Sequence, residues 1–324
     1  MTANKTARGK KADPERPVGE DGVDESLLFP IVGIGASAGG LEATQTLLQN
    51  LPTDTGMAFV LVQHLDPKHE SRFAEILARS TKMPVREVKD GTAVEPNQVY
   101  IIPAPSTMVL SDGKLKLMPR AEAPERPMVV DRFFFSLAKT RKNRAIGVIL
   151  SGTGSDGARG LMEIKAEGGI TFAQDETAKH EGMPQPAIAT NSVDLVLSPE
   201  GIARELERLC RHPHFGDSKT QQDDVGLPTE AEGVGKNVHA ILKQLRRSTG
   251  VDFTCYKQST IRRRIARRML LLKIETLEDY AKYLANNPPE TALLQQDLLI
   301  KVTNFFRDPE TFDALKRQVL PLIM

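Results

Sequence analysis

Three residues of this chain are of types that together do nucleophilic chemistry, in the order serine, histidine, aspartate. Ser37 lies in Val32-Gly33-Ile34-Gly35-Ala36-Ser37-Ala38-Gly39-Gly40. His64 closes Phe59-Val60-Leu61-Val62-Gln63-His64. Asp156 lies in Ile149-Leu150-Ser151-Gly152-Thr153-Gly154-Ser155-Asp156-Gly157. Each follows a short apolar run that reads as a buried strand. A serine is a weak nucleophile until a base takes its proton, and the base needs a third group to hold its tautomer. In a parallel sheet the C-terminal strand ends share one edge, where ligands bind. There Ser37 could attack an ester carbonyl, His64 could take and return the proton, and Asp156 could orient the imidazole.

Each residue also has a plainer reading. The glycines around Ser37 suit an oxyanion-stabilising turn, a phosphate cradle or a tight turn with a satisfied serine. A dinucleotide fingerprint wants a third glycine where Ala38 stands, and an acidic end to the second strand where Gln63-His64 stands. His64 after an apolar run suits a hydrogen-bonded packing residue, and Asp156-Gly157 is a turn signal. Three such loops, each with one residue of the set, favour the joint reading.

The elements that must position them alternate. Leu28–Ile34, Met57–Gln63, Val99–Ile102, Ala145–Leu150, Gly169–Ala173 and Val193–Leu197 read as strands. Ala38–Gln49, Arg72–Arg79, Arg132–Thr140 and Ala158–Glu167 read as helices. Met108–Leu110 and Lys114–Leu117 flank Asp112-Gly113, a hairpin signal. This predicts an α/β fold with a mostly parallel, doubly wound sheet and one hairpin insertion.

With 324 residues, two domains are expected, and the formal net charge of +1 excludes a strong whole-chain pull on nucleic acid or membrane. Cys210 and Cys255 match no metal spacing or disulfide framework. No apolar run approaches the roughly 20 residues of a membrane span. Residues 1–27 read as a disordered tail without a signal peptide. Residues 28–211 form the α/β domain, and 212–233 a polar, turn-rich linker. Residues 234–324 form a small all-α domain, with helices over Val234–Ser248, Ser259–Leu272, Leu277–Asn286 and Thr291–Ile300. Thr276 is the expected N-cap of the third helix, and Pro288-Pro289 a break before the fourth. Arg264, Arg267 and Arg268 share helical spacing, as do Ile261, Ile265 and Met269 on the buried side. The arginines suit a solvated face, phosphate contact or docking on an acidic protein. The apolar end Pro321-Leu322-Ile323-Met324 reads as a cut through a longer protein.

Gly33-Ile34-Gly35-Ala36-Ser37-Ala38-Gly39-Gly40, Val62-Gln63-His64, Ser151-Gly152-Thr153-Gly154-Ser155-Asp156-Gly157-Ala158 and Ala173-Gln174-Asp175 with Gly182-Met183-Pro184 resemble, in order, the catalytic domain of the chemotaxis methylesterase CheB. The resemblance runs from about Phe29 to Leu209. It implies hydrolysis of γ-glutamyl methyl esters on chemoreceptors, giving glutamate and methanol without a cofactor. It makes Ser37 the nucleophile, His64 the base and Asp156 the orienting acid. It implies a cytoplasmic protein whose partner is a methylated chemoreceptor, with no nucleic acid and no membrane insertion. Gly182-Met183-Pro184 would lie on a loop near the site. Ala38 stands where the family commonly has threonine, and Thr153 where it commonly has methionine. The residues before Leu28 are too few for the receiver domain of the usual member.

Thr249-Gly250-Val251-Asp252-Phe253, Tyr256-Lys257, the arginine helix and Val302-Thr303-Asn304-Phe305-Phe306-Arg307-Asp308-Pro309 resemble the N-terminal helical domain of the chemotaxis methyltransferase CheR. That resemblance implies contact of Thr303 and Arg307 with S-adenosylmethionine in a complete methyltransferase, and an arginine helix facing the acidic receptor. Lys301 replaces a frequent asparagine. The expectation is a methylesterase joined to an incomplete methyltransferase module. The other readings are a non-catalytic receptor-docking module and a nucleotide-binding α/β protein.

Overall fold

A computed structural model describes residues 29–63, 73–119, 128–212 and 232–299. The predicted tail at 1–27 and nearly all of the predicted linker lie outside these residues.

In the first segment strands and helices alternate as the apolar runs require. β1 (Ile31–Ala36) leads to α1 (Gly40–Gln49), and β2 (Ala58–Gln63) precedes α2 (Phe73–Ala78). There follow β3 (Val85–Glu87), β4 (Thr92–Ala93), β5 (Val99–Ile101) and a hairpin of β6 (Ser106–Ser111) and β7 (Lys114–Pro119). Then come α3 (Val129–Arg141), β8 (Ala145–Ile149), α4 (Ala158–Ala166), β9 (Ile170–Gln174), α5 (Pro184–Ala189), β10 (Leu195–Leu197) and α6 (Pro199–Cys210). Seven strands form a parallel sheet in the order β10-β9-β8-β1-β2-β5-β3. β4, β7 and β6 form a separate antiparallel sheet, turned at Asp112-Gly113, where both residues have positive φ. The α/β class and the hairpin insertion thus follow the sequence reading. β3, β4 and α5 are short, and these three and α6, which Pro199 opens after a Ser198 cap, are additional to the expected elements.

The order of the strands matters for the site. From β1 the chain builds outward through β2 to β5 and β3, then returns to β8 on the other side of β1. The winding reverses between β1 and β8, and the crevice at such a reversal is where open α/β sheets bind ligands. Register aligns the strand ends: Ala36 stands beside Gln63, and Gly35 beside Ile149.

Both faces of the sheet are covered, which is why β1, β2 and β8 are apolar throughout rather than alternating. One face packs Val32, Ile34, Phe59 and Leu61 against Leu47 and Leu48 of α1, Leu77 of α2 and Leu206 of α6. The other packs Val60, Val62 and Ile149 against Phe133, Phe134 and Leu137 of α3 and Leu161 of α4. Burying such a side chain is worth roughly 1.5–3 kcal/mol. Gly33 and Gly35 belong to this packing and not to the serine turn. A Cβ on Gly35 would stand 2.4 Å from Val130 Cγ1, and one on Gly33 2.8 Å from Phe134 Cε1. Their missing side chains let α3 lie directly on β1.

The second segment is helical: α7 (Glu232–Thr249), α8 (Gln258–Leu272), α9 (Leu277–Asn286) and α10 (Pro288–Leu298). Ile241, Leu245, Phe253, Ile261, Ile265, Met269, Tyr280, Leu294 and Leu298 form its core. Thr276 caps α9 as expected, its side chain accepting from the Asp279 amide. Pro288 and Pro289 do not break the chain before the fourth helix. They form its first turn, where the missing amide hydrogens have no helical partner to lose.

The arginine helix corrects a larger expectation. Arg264, Arg267 and Arg268 form no solvated face, being 2%, 2% and 8% exposed. Arg264 donates to the carbonyls of Lys165 and Ala166 at the end of α4. Arg267 donates to the Gly169 carbonyl at 2.9 Å and pairs with Asp194 and with Asp297 of α10. Arg268 pairs with Glu290. Burial, with Arg267 and Arg263 nearby, pulls the Arg264 guanidinium down to about 10. Leu270 of α8 joins the core of the sheet domain, and Lys273 pairs with Glu205 of α6 at 3.0 Å. Arg264 and Arg267 thus hold the helical segment to the sheet domain and Arg268 ties α8 to α10, all three too buried to present a face to an outside acidic partner.

Candidate active site

Ser37 is the first residue past β1, on a turn that Gly39 closes in the left-handed region at φ 74° before α1 begins. A side chain at position 39 would be strained there and would also meet Ser151 Oγ at 2.7 Å. Gly40 N donates to the Ser37 carbonyl at 2.9 Å, and Gln63 Nε2 approaches the same oxygen at 3.4 Å. The Ser37 amide donates to the Ser151 carbonyl at 3.0 Å. It is therefore occupied within the fold. Ser37 is half-buried and Ala38 exposed, so the turn opens to the outside.

The loop after β8 carries Asp156 and ends at Gly157, also left-handed at φ 99°, before α4. Asp156 is no solvated turn residue: it is 4% exposed. Its Oδ2 accepts from Val130 N and its Oδ1 from Asp131 N, both at 2.9 Å. Those amides are in the first turn of α3, which has no side-chain cap of its own. Such amides favour a negative charge through their aligned dipoles.

Ser151 ties the loops together, a role the sequence reading missed. It is fully buried; its hydroxyl donates to the Ala38 carbonyl and accepts from His180 N, both at 2.9 Å. Its own amide donates to Gln174 Oε1 at 2.9 Å at the end of β9. Gly152 N donates to the His180 carbonyl and Met183 N to the Gly152 carbonyl. Met183 is fully buried against Gly152, where a Cβ would fall 2.1 Å from its Sδ and 3.0 Å from Ser37 Cβ. The Gly182-Met183-Pro184 stretch thus does lie beside the serine turn. Pro184 already begins α5.

Asp131 is the other residue the sequence reading missed. It is 2% exposed, and its Oδ1 accepts from Gly160 N at 2.7 Å. Burial, opposed in part by the Gly160 amide, and the neighbouring Asp156 charge push its carboxyl up to about 6. The apolar period predicts this helix only from Arg132, which leaves Asp131 outside it, and its partner is on another helix.

The structure thus sets Ser37 and the Asp156 loop after adjacent strands, at the winding reversal. His64 follows β2, on the other side of β1, but lies outside the described residues, as do Thr303 and Arg307. Among the described residues no group of three or more His, Cys, Asp and Glu side chains could hold a metal ion. None of the described helices is long and apolar enough to cross a membrane.

The fold and this edge define a class that the comparisons name. Residues 32–206 match the CheB methylesterase family, and residues 236–299 match the CheR methyltransferase all-alpha domain. The chain belongs to the CheB methylesterase family, with a CheR-type all-α domain behind the esterase domain. A Burkholderia lata protein named protein-glutamate methylesterase/protein-glutamine glutaminase 2 is 40% identical over 179 residues, 54% of this chain and 52% of that protein. A Leptospira interrogans protein named putative protein-glutamate methylesterase/protein-glutamine glutaminase is 35% identical over 184 residues, 56% of this chain and 95% of that one. An uncharacterized 104.1 kDa protein of Rhodobacter capsulatus is 36% identical over 266 residues, 77% of this chain and 28% of its own length. The crystal structure of the Thermotoga maritima CheB methylesterase catalytic domain superimposes with a TM-score of 0.52 at 33% identity, covering 56% of this chain and 98% of that one.

Proposed function

We propose that this chain is a protein-glutamate methylesterase in which Ser37 is the nucleophile, His64 the base and Asp156 the orienting acid. Ser37 Oγ attacks the ester carbonyl as its proton passes to His64. The tetrahedral oxyanion collapses, and methanol leaves with the proton from His64. Water, deprotonated by His64, then cleaves the acyl-enzyme to the glutamate carboxylate and free serine. Asp156 holds the imidazole tautomer and balances the imidazolium charge. With the Ser37 amide engaged, the oxyanion falls to other main-chain amides around the turn, where losing one donor costs roughly 10²–10³ in rate.

One observation carries the reading: Ser37 and Asp156 sit on loops after neighbouring strands at the point where the winding reverses. The open serine turn suits a side chain presented on a protein surface, and a methylated chemoreceptor or receptor-like protein in the cytoplasm is the proposed partner. The relatives' names add glutamine side chains, for which the same acyl-enzyme forms with ammonia as the leaving group. The esterase steps need no cofactor. Thr303 and Arg307 are proposed S-adenosylmethionine contacts only within a complete methyltransferase.

The test is methanol release from methylated receptor peptides by Ser37→Ala. A fall of at least roughly 10³-fold with an unchanged circular dichroism spectrum is expected. Release at the parent rate would overturn the proposal.

A further inference from the structure

Resting on that reading, we propose that Asp131 is a positioning residue for Asp156, the two carboxylates being exchanged as caps between α3 and α4. Asp156 precedes α4, yet both its oxygens accept from the first-turn amides of α3. Asp131 belongs to the first turn of α3, yet it accepts from Gly160 N in the first turn of α4. Each helix thus has its N-terminal amides satisfied by the other's acid, and neither has a side-chain cap of its own.

The glycines make the exchange possible. A Cβ on Gly157 would stand 2.4 Å from Ile149 Cδ1 and 2.8 Å from Val130 Cγ1, and one on Gly160 2.4 Å from Phe134 Cβ. Without those side chains the two helix ends meet at a distance that one short acid can bridge. Two amides fix the plane of the Asp156 carboxylate, and the Asp131 bond to Gly160 fixes where those amides stand. An acid that orients an imidazole must hold its own direction to within a few tenths of an ångström.

Asp131 also contributes charge. The charged groups acting on it among the described residues are Asp156 on the same loop edge and Arg159 of α4, which is exposed. Ionised Asp131 therefore places a second negative charge beside Asp156, on which the proposed acid limb of the reaction would depend. Its carboxyl titrates at about 6, in the range where a histidine base works.

The experiment compares the parent chain with Asp131→Asn, Asp131→Ala and Asp156→Asn. Two rates are followed against pH: methanol release, and labelling of Ser37 by a fluorophosphonate. With Asp131→Asn, kcat is expected to fall about tenfold with little change in KM, and the acid limb of both profiles to move to lower pH. Asp131→Ala should lose more of the rate than Asp131→Asn, which keeps an oxygen for Gly160 N. If Asp156→Asn is inactive while Asp131→Asn keeps the parent's rates and acid limb, the positioning role is overturned and the triad stands. The same holds if Asp131→Asn lowers only thermal stability. If Asp156→Asn retains the parent rate, the triad and the role of Asp131 fall together.

Discussion

Two regions bury carboxylates, and they hold them in opposite ways. At the sheet edge Asp156 and Asp131 are held by backbone amides at two helix starts, with exposed Arg159 as the cation acting on Asp131. At the junction with α8, Asp194 and Asp297 share Arg267, and Lys165 adds a second cation to Asp194. The outcomes differ in direction. Asp131 rises to about 6, through burial above all. Burial acts upward on Asp194 as well, but the Arg267 and Lys165 charges outweigh it, and its carboxyl falls below the ordinary value. Amides satisfy hydrogen bonds without neutralising charge, so that region keeps a group able to titrate near the working pH. Guanidinium groups neutralise, so the junction is locked and inert.

The largest expected effect that breaks this contrast is at the junction. Arg267→Ala leaves Asp194 and Asp297 buried without their shared cation, and should cost about 3–5 kcal/mol in urea denaturation. A loss below about 1 kcal/mol would show that the pairs are not buried in solution.

A smaller effect is expected at the edge, in rate rather than stability. Gly152→Ala places a methyl group within overlap distance of Met183 Sδ and against Ser37 Cβ. Displacing Ser37, the proposed nucleophile, by about 1 Å would cost roughly 10²-fold. Methanol release should fall by that order with a smaller change in melting temperature. Full activity in this variant would mean that Met183 moves aside freely.

The smallest effect is in how stability varies with pH, and the two regions oppose one another. Asp194 has a lowered folded pKa, so its contribution is present above about pH 4 and is lost as pH falls through the folded value. Asp131 has a raised one, so its contribution is full below about pH 4 and is lost as pH rises through about 6. Stability measured from pH 4 to 7 should therefore decline less in Asp131→Asn than in the parent, by at most ~3 kcal/mol. Below pH 4, Arg267→Ala should show a shallower acid loss than the parent. Equal slopes in all three proteins would remove the distinction between the regions.

How far the sequence could be read differs between the same two regions. At the edge, apolar runs of strand length separated by helical periods made the sheet legible, and glycine-rich strand ends marked the loops. The C-terminal ends of parallel strands share one edge by geometry, so Ser37 and Asp156 could be brought together from their places after the strands. The glycines were legible in number but not in role. Gly33 and Gly35 make room for α3, and only Gly39 serves the turn by its left-handed backbone. In the helical segment Thr276 was readable as a cap because capping is local.

By itself, then, the sequence determined the fold class, the order of elements and the edge on which Ser37 and Asp156 stand. All of these follow from local periodicity and the fixed geometry of parallel strands. Only the tertiary structure decided the surroundings of Asp156, the part of Ser151, the importance of Asp131 and the fate of Arg264, Arg267 and Arg268. Those depend on partners 22 to 113 positions away. A run of arginines has the same helical spacing whether its face meets water or another domain. What separates the two cases is whether carboxylates and carbonyls from elsewhere in the chain are waiting there.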